Sequence, residues 1–122
     1  MDNKDYKERL IKRTYAFSLT IMKFIDTLPQ KDLSMQIIAR QIIRSATSIG
    51  ANIVEAQAAS SKKDFANFMH HSLKSANETK YWLGLLRDSE KADKEVAGAL
   101  LQEATELSNV LGSSLLSIKG RK

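Results

Sequence analysis

Leu33-Ser-Met-Gln-Ile-Ile-Ala-Arg-Gln-Ile-Ile-Arg-Ser-Ala-Thr-Ser-Ile-Gly-Ala-Asn-Ile-Val-Glu-Ala-Gln-Ala-Ala59 is the stretch whose period decides the fold. Met35, Ile38, Ile42, Ile49 and Ile53 fall near one face of a 3.6-residue helix, and Ile37, Ile43, Ala46 and Val54 widen that face. The β-branched content suits a strand, but the length far exceeds the roughly three to ten residues of an ordinary strand. The stretch reads as a helix.

Upstream, Asp32 is a natural cap for that helix. Pro29 disfavours helical geometry at Leu28, so a first helix runs from about Lys4 to Leu28. Leu10, Phe17 and Phe24 recur along it every seven residues, beside the parallel line Thr14, Ile21 and Leu28. Downstream, Ser61 and Asp64 have capping-box spacing, with Asp in place of the usual Glu. From there Phe65, Phe68, Met69, Ser72, Leu73, Ala76, Thr79, Leu83 and Leu86 step by three and four. The polar cluster Arg87-Asp88-Ser89-Glu90-Lys91 ends this third helix. Val96, Leu100, Leu107, Leu111 and Leu115 or Ile118 carry a fourth, which Gly120 closes. Helices of about 25 residues reach about 37 Å, and short connections set neighbours antiparallel. The expected fold is all-α, an antiparallel up-down-up-down four-helix bundle forming one domain over residues 1–122.

Two of these helices are more apolar than a lone bundle needs. Helix 1 carries a second line, Ile11, Tyr15, Met22 and Ile25, and helix 2 is apolar around more than half its girth. A bundle helix buries a stripe of about 100°. The surplus belongs either to a wide core or to a subunit interface, and the interface is the reading taken, so a homo-oligomer is expected.

Composition excludes several classes. One proline and five glycines are too few for the many turns of a β-sandwich. The absence of cysteine excludes a disulfide scaffold, a zinc ribbon and a cysteine nucleophile. The chain carries 19 basic and 14 acidic residues, a net +5, unevenly spread. Residues 1–87 hold 14 Lys/Arg against 8 Asp/Glu, whereas residues 88–122 hold 5 against 6. Such a surface raises the local concentration of polyanions, and it also keeps a small protein soluble. Acidic residues precede any apolar stretch, and Lys23 interrupts the run from Ala16 to Met22. No signal peptide and no membrane span is expected, and the cytoplasm is the expected compartment.

No catalytic apparatus is legible. His70 and His71 are the only histidines, and Asn67 and Phe68 stand where a Glu-x-x-His di-iron motif needs glutamate. Adjacent helical positions point about 100° apart, so the two imidazoles do not face one metal together. Neither GxxxxGK, GxGxxG nor GxSxG occurs. No catalytic residue, cofactor, metal or small-molecule substrate is expected, and the chain reads as not an enzyme.

Two polar features remain. Gln36, Arg40, Arg44, Ser48 and Asn52 step by four through helix 2. Arg44, Ser48, Asn52 and Glu55 read as a structural line that fixes register across a helix pair or a subunit boundary, with a ligand-binding line as the alternative. Lys62 and Lys63 sit in the first turn of helix 3, where the helix dipole disfavours cations. They mark either a phosphate site or a solvated turn.

The segments Arg44-x-Ala46-x-Ser48-Ile49-x-x-Asn52-Ile53-x-Glu55, Ser61-Lys62-Lys63-Asp64-Phe65 and Glu78-Thr79-x-Tyr81-Trp82-Leu83 occur here in that order. Together they resemble the bacterial family encoded in intervening sequences of 23S ribosomal RNA genes, four-helix bundle proteins sometimes labelled ribosomal. Ala56-Gln57 and Ala58-Ala59-Ser60 stand where many members carry glycine and basic residues. The resemblance implies a ring-like homopentamer. The chain is also distantly similar to the accessory protein of diversity-generating retroelements, which engages nucleic acid and a reverse transcriptase. The expected function is contact with RNA, or with an RNA-bound partner, through Lys4, Lys7, Arg9, Lys12, Arg13, Lys62 and Lys63. The alternative is a protein-interaction scaffold with no direct nucleic-acid binding, whose apolar faces serve assembly alone.

Overall fold

Three of the four helices begin where a short polar side chain accepts a backbone N–H that the first turn leaves unpaired. Asp32 accepts from Met35 N at 3.1 Å, Ser61 from Asp64 N at 3.0 Å, and Asp93 from Val96 N at 3.1 Å. The structure, a computed structural model, describes residues 3–120. Within them run α1 (Asn3–Ile25), α2 (Leu33–Ala56), α3 (Lys62–Asp88) and α4 (Lys94–Gly120). The all-α expectation holds. No helix among the described residues is long and apolar enough to cross a membrane.

Helix ends differ from the expected ones for local reasons. α1 stops at Ile25 rather than Leu28 because the chain tightens into i→i−3 turns. Thr27 N donates to Phe24 O at 3.0 Å and Leu28 N to Ile25 O at 3.1 Å, ahead of Pro29. Leu28 stays buried all the same. α2 stops at Ala56 and not near Ala59, as Gln57, Ala58 and Ala59 form the same tighter turns. The expected capping box is shifted: the Asp64 carboxylate accepts from the backbone N–H of Ser60 at 3.1 Å, one residue before the cap.

Cross-helix pairs set α2 antiparallel to α3 and α1 antiparallel to α4, and connections of five to seven residues turn each helix back on the one before it. Ser45 meets Thr79 and Ile49 meets Ser72 across α2 and α3, and Tyr6 meets Ser114 and Arg13 meets Glu103 across α1 and α4. The helices therefore alternate up, down, up and down around one core, in which Ile21, Ile42, Ile49, Leu83, Leu107 and Leu111 are fully buried. On α4 the first core residue is Ala97, and Val96, expected inside, is exposed. α1 packs closely on α2 and sparsely on α4, so the α1–α4 seam is the loose one.

Gly50 explains the tight α1–α2 contact. A Cβ there would lie 2.8 Å from Thr14 Oγ1 and 3.2 Å from Thr14 Cβ. Thr14 is buried, with its hydroxyl turned back onto its own helix, 3.0 Å from Leu10 O. Gly50→Ala is therefore expected to lower stability, despite the gain of about 1 kcal/mol that alanine brings to a helix interior. Gly84→Ala, Gly98→Ala and Gly112→Ala meet nothing within 4 Å and are expected to stabilise, by up to about 1 kcal/mol each. Urea unfolding of the four variants checks the contrast in sign.

At the far end, Lys91 of the α3–α4 connection pairs with Asp32 at 2.9 Å. Its hydrogen bond, with that of the Met35 N–H, lowers the Asp32 carboxyl from the ordinary 3.8 to about 2. A carboxyl lowered by folding stabilises the native state above its unfolded pKa. That contribution is lost as the pH falls from about 4 towards 2. Asp32→Asn keeps an N-cap oxygen but removes the titration. The melting-temperature gap between parent and variant is expected to be open at pH 5, to narrow as the pH falls from about 4, and to close only below about pH 2.

Candidate nucleic-acid interface

The topology brings the starts of α1 and α3 and the finishes of α2 and α4 to one end of the bundle. Lys4 and Lys7 stand there one turn apart on α1, both exposed. Lys7 Nζ lies 5.3 Å from the centroid of the Phe65 ring in the first turns of α3, a cation–π contact that ties the two helix starts together. Lys62 is one turn before Phe65 on the same side of α3. Lys63, two residues before it, faces the opposite side. Lys119, in the last turn of α4, is exposed at this same end. The turn holding both lysines of α3 is open to solvent. At this helix start the Asp64 carboxylate accepts from Ser60 N and the Asp64 N–H is taken by Ser61 Oγ.

The other predicted cations lie along α1. Arg9, Lys12 and Arg13 border a recess of about 520 Å³ against Val110 of α4. Arg13 is engaged by two carboxylates, donating to Glu103 at 2.8 and 2.7 Å and to Glu106 at 3.0 Å. The Glu103 hydrogen bonds push its guanidinium above the ordinary arginine range. Arg13 is thus the clasp of the loose α1–α4 seam.

Beside Lys7, residues from all four helices line a cavity of about 390 Å³ that is open to solvent on one side. Leu10, Ile53, Met69 and Ile118 form its apolar floor, and Tyr6, Lys7, Gln57, Ser113 and Ser117 its polar rim. The Tyr6 hydroxyl is 2.8 Å from Ser114 Oγ, so the ring stands as a wall shared with the basic recess beside it. No carboxylate of the described residues lines the cavity.

The expected polar line of α2 is divided by the structure. Arg44 is exposed, donating to Gln41 Oε1 at 3.0 Å and to Glu78 of α3, and Glu78 also accepts from Trp82 Nε1 at 2.9 Å. Asn52 donates to Ser48 O at 2.9 Å within its own helix, and Glu55 is exposed. The buried polar contacts between α2 and α3 are made by other residues. Ser45 and Thr79 share a hydrogen bond of 2.8 Å, and Ser72 donates to Ile49 O at 2.7 Å. Ser45 was legible in the period, lying three residues after Ile42 and four before Ile49. His70 and His71 are both exposed, and among the described residues no three His, Cys, Asp or Glu side chains converge as a cation site needs.

Sequence reasoning did not bring together Tyr6, Gln57, Phe65, Ser113 and Ser117, which line one cavity, or place Lys119 at the same end. The signal was indirect: antiparallel topology sets the start of α1 beside the end of α4. Outside the core, Tyr15 and Met22 of α1 and Ile43 and Val54 of α2 are exposed. With Thr14 against Gly50, the register lays these four along the outer α1–α2 groove.

Four antiparallel helices around one core define a four-helix bundle protein. The chain belongs to the 23S rRNA-intervening sequence protein family, whose profile matches residues 7–113. The resemblance carried by the Arg44–Glu55, Ser61–Phe65 and Glu78–Leu83 segments is thereby borne out. A similar solved structure is a protein of unknown function from the S23 ribosomal protein family of Bacteroides thetaiotaomicron VPI-5482. It shares 35% identity and a TM-score of 0.81, over 89% of this chain and 96% of that one. No curated protein matches the chain.

Proposed function

We propose that the chain is a non-enzymatic, oligomeric helical bundle of the cytoplasm that binds RNA, alone or with an RNA-associated partner, through its basic end. The observation that carries this reading is the contact of Lys7 of α1 with Phe65 of α3, with the exposed Lys4 and Lys62 each one turn away at the same end of the bundle. Arg9 and Lys12 extend the positive surface along α1, and Lys63 adds to the field from the other side of α3. The family to which the chain belongs is named for 23S rRNA intervening sequences, which gives the polyanion a natural identity. Five copies, as the resemblance implies, would repeat the basic end around a ring and raise avidity for one RNA.

The test is a salt titration of binding to a 23S rRNA fragment, read by fluorescence anisotropy. Each phosphate contact contributes about 0.7–0.9 to the slope of log affinity against log salt. Three lysines predict a slope of about −2 to −3 per subunit engaged. Absent or salt-independent binding hands first place to the scaffold reading, which the exposed Tyr15, Met22, Ile43 and Val54 favour.

A further inference from the structure

We propose that the cavity at the basic end receives one unpaired nucleobase, so that the RNA bound there is single-stranded. This inference rests on the RNA-binding reading above and names the form of RNA. A volume of about 390 Å³ is near the lower end of ligand pockets, which run from about 300 to 1,000 Å³. It suits a single nucleoside and not a helix of stacked pairs. The chemistry is layered as a splayed-out nucleotide requires. Leu10, Ile53, Met69 and Ile118 offer an apolar floor to the ring, and the half-exposed Tyr6 offers an aromatic wall.

Hydrogen-bonding groups stand at the rim. Gln57 Nε2 donates to Ile53 O at 2.8 Å, which leaves its amide oxygen as an acceptor. Ser113 and Ser117 bring hydroxyls that take no partner among the described residues. A hydroxyl both donates and accepts, matching the mixed edge of a base. Among the described residues Lys7 is the one cation lining the cavity, placed to meet the phosphate of the inserted nucleotide, with Lys62 one turn before Phe65 for the next. Unpaired bases stacked on aromatic side chains and read at their edges are the usual basis of single-strand recognition, whereas an A-form duplex hides those edges in a deep, narrow groove.

The experiment uses the full chain with a ten-nucleotide RNA carrying 2-aminopurine, single-stranded or annealed to its complement. The single strand is expected to bind at least about tenfold more tightly than the duplex, with a change in 2-aminopurine fluorescence on binding. Ser117→Leu fills the cavity mouth at an exposed helical position, and Tyr6→Ala removes the wall. Both are expected to bring single-strand affinity down to the duplex level and to abolish the fluorescence change, with the salt slope unaltered. Equal binding of the two forms, or a single-strand preference that survives both variants, overturns the cavity inference and leaves the RNA reading standing. If neither RNA form binds, the RNA reading falls and takes this inference with it.

Discussion

Lys7→Glu/Lys62→Glu is expected to bind RNA on the order of a hundredfold more weakly than the parent near 0.1 M salt, with a salt slope flatter by about two units. Lys7 lies over the Phe65 ring and Lys62 stands one turn before Phe65 on α3, so both ammonium groups are expected to act on the same stretch of RNA backbone. Stability is expected to move little. Glutamate in the first turn of α3 is favoured by about 0.3–1 kcal/mol, which offsets the loss of about 0.5–1 kcal/mol from the Lys7 cation–π contact. Loss of binding therefore appears with an unchanged melting temperature, which separates it from unfolding. Lys63→Glu serves as the geometric control. Facing the opposite side of α3, it is expected to cost several-fold less than Lys62→Glu. A double variant that binds as the parent does places the interface elsewhere.

Tyr15→Glu/Met22→Glu is expected to convert an assembly into single chains. These side chains are 68% and 47% exposed in the isolated subunit, so the bundle itself should fold as before, with unchanged circular dichroism. Covered by a neighbouring subunit, each new carboxylate would be buried without a partner, at a cost of several kcal/mol. Repeated at every contact of a ring, that exceeds what an interface of ordinary size holds in reserve. Light scattering is expected to give about five times the 13.7 kDa chain mass for the parent and one chain mass for the variant. A parent that is monomeric at micromolar concentration removes the interface altogether and returns Tyr15, Met22, Ile43 and Val54 to the status of ordinary exposed apolar residues.

The α2 stretch shows what the sequence by itself determined. Its period, the Asp32 cap and the Pro29 stop act over three or four residues, the range of a helical turn. Helix number, helix type and bundle topology were legible from such signals. So were the core positions Ile21, Ile42, Ile49, Leu83, Leu107 and Leu111. Helix ends slipped by about a turn where i→i−3 bonds competed with i→i−4 bonds after Ile25 and Ala56. The candidate site was legible only as a set of cations, and the tertiary structure decided which of them act together. Lys7 lies over Phe65, which stands one turn after Lys62, Lys63 points to the opposite side of α3, and Arg13 is taken by Glu103 and Glu106. The cavity beside Tyr6 is lined by residues from all four helices, as far apart in the chain as Tyr6 and Ile118. Register and separation between helices come from the packing of the whole core, through contacts made by residues far apart in the chain. No window of a few turns contains both sides of such a contact, and that is why the site waited for the fold.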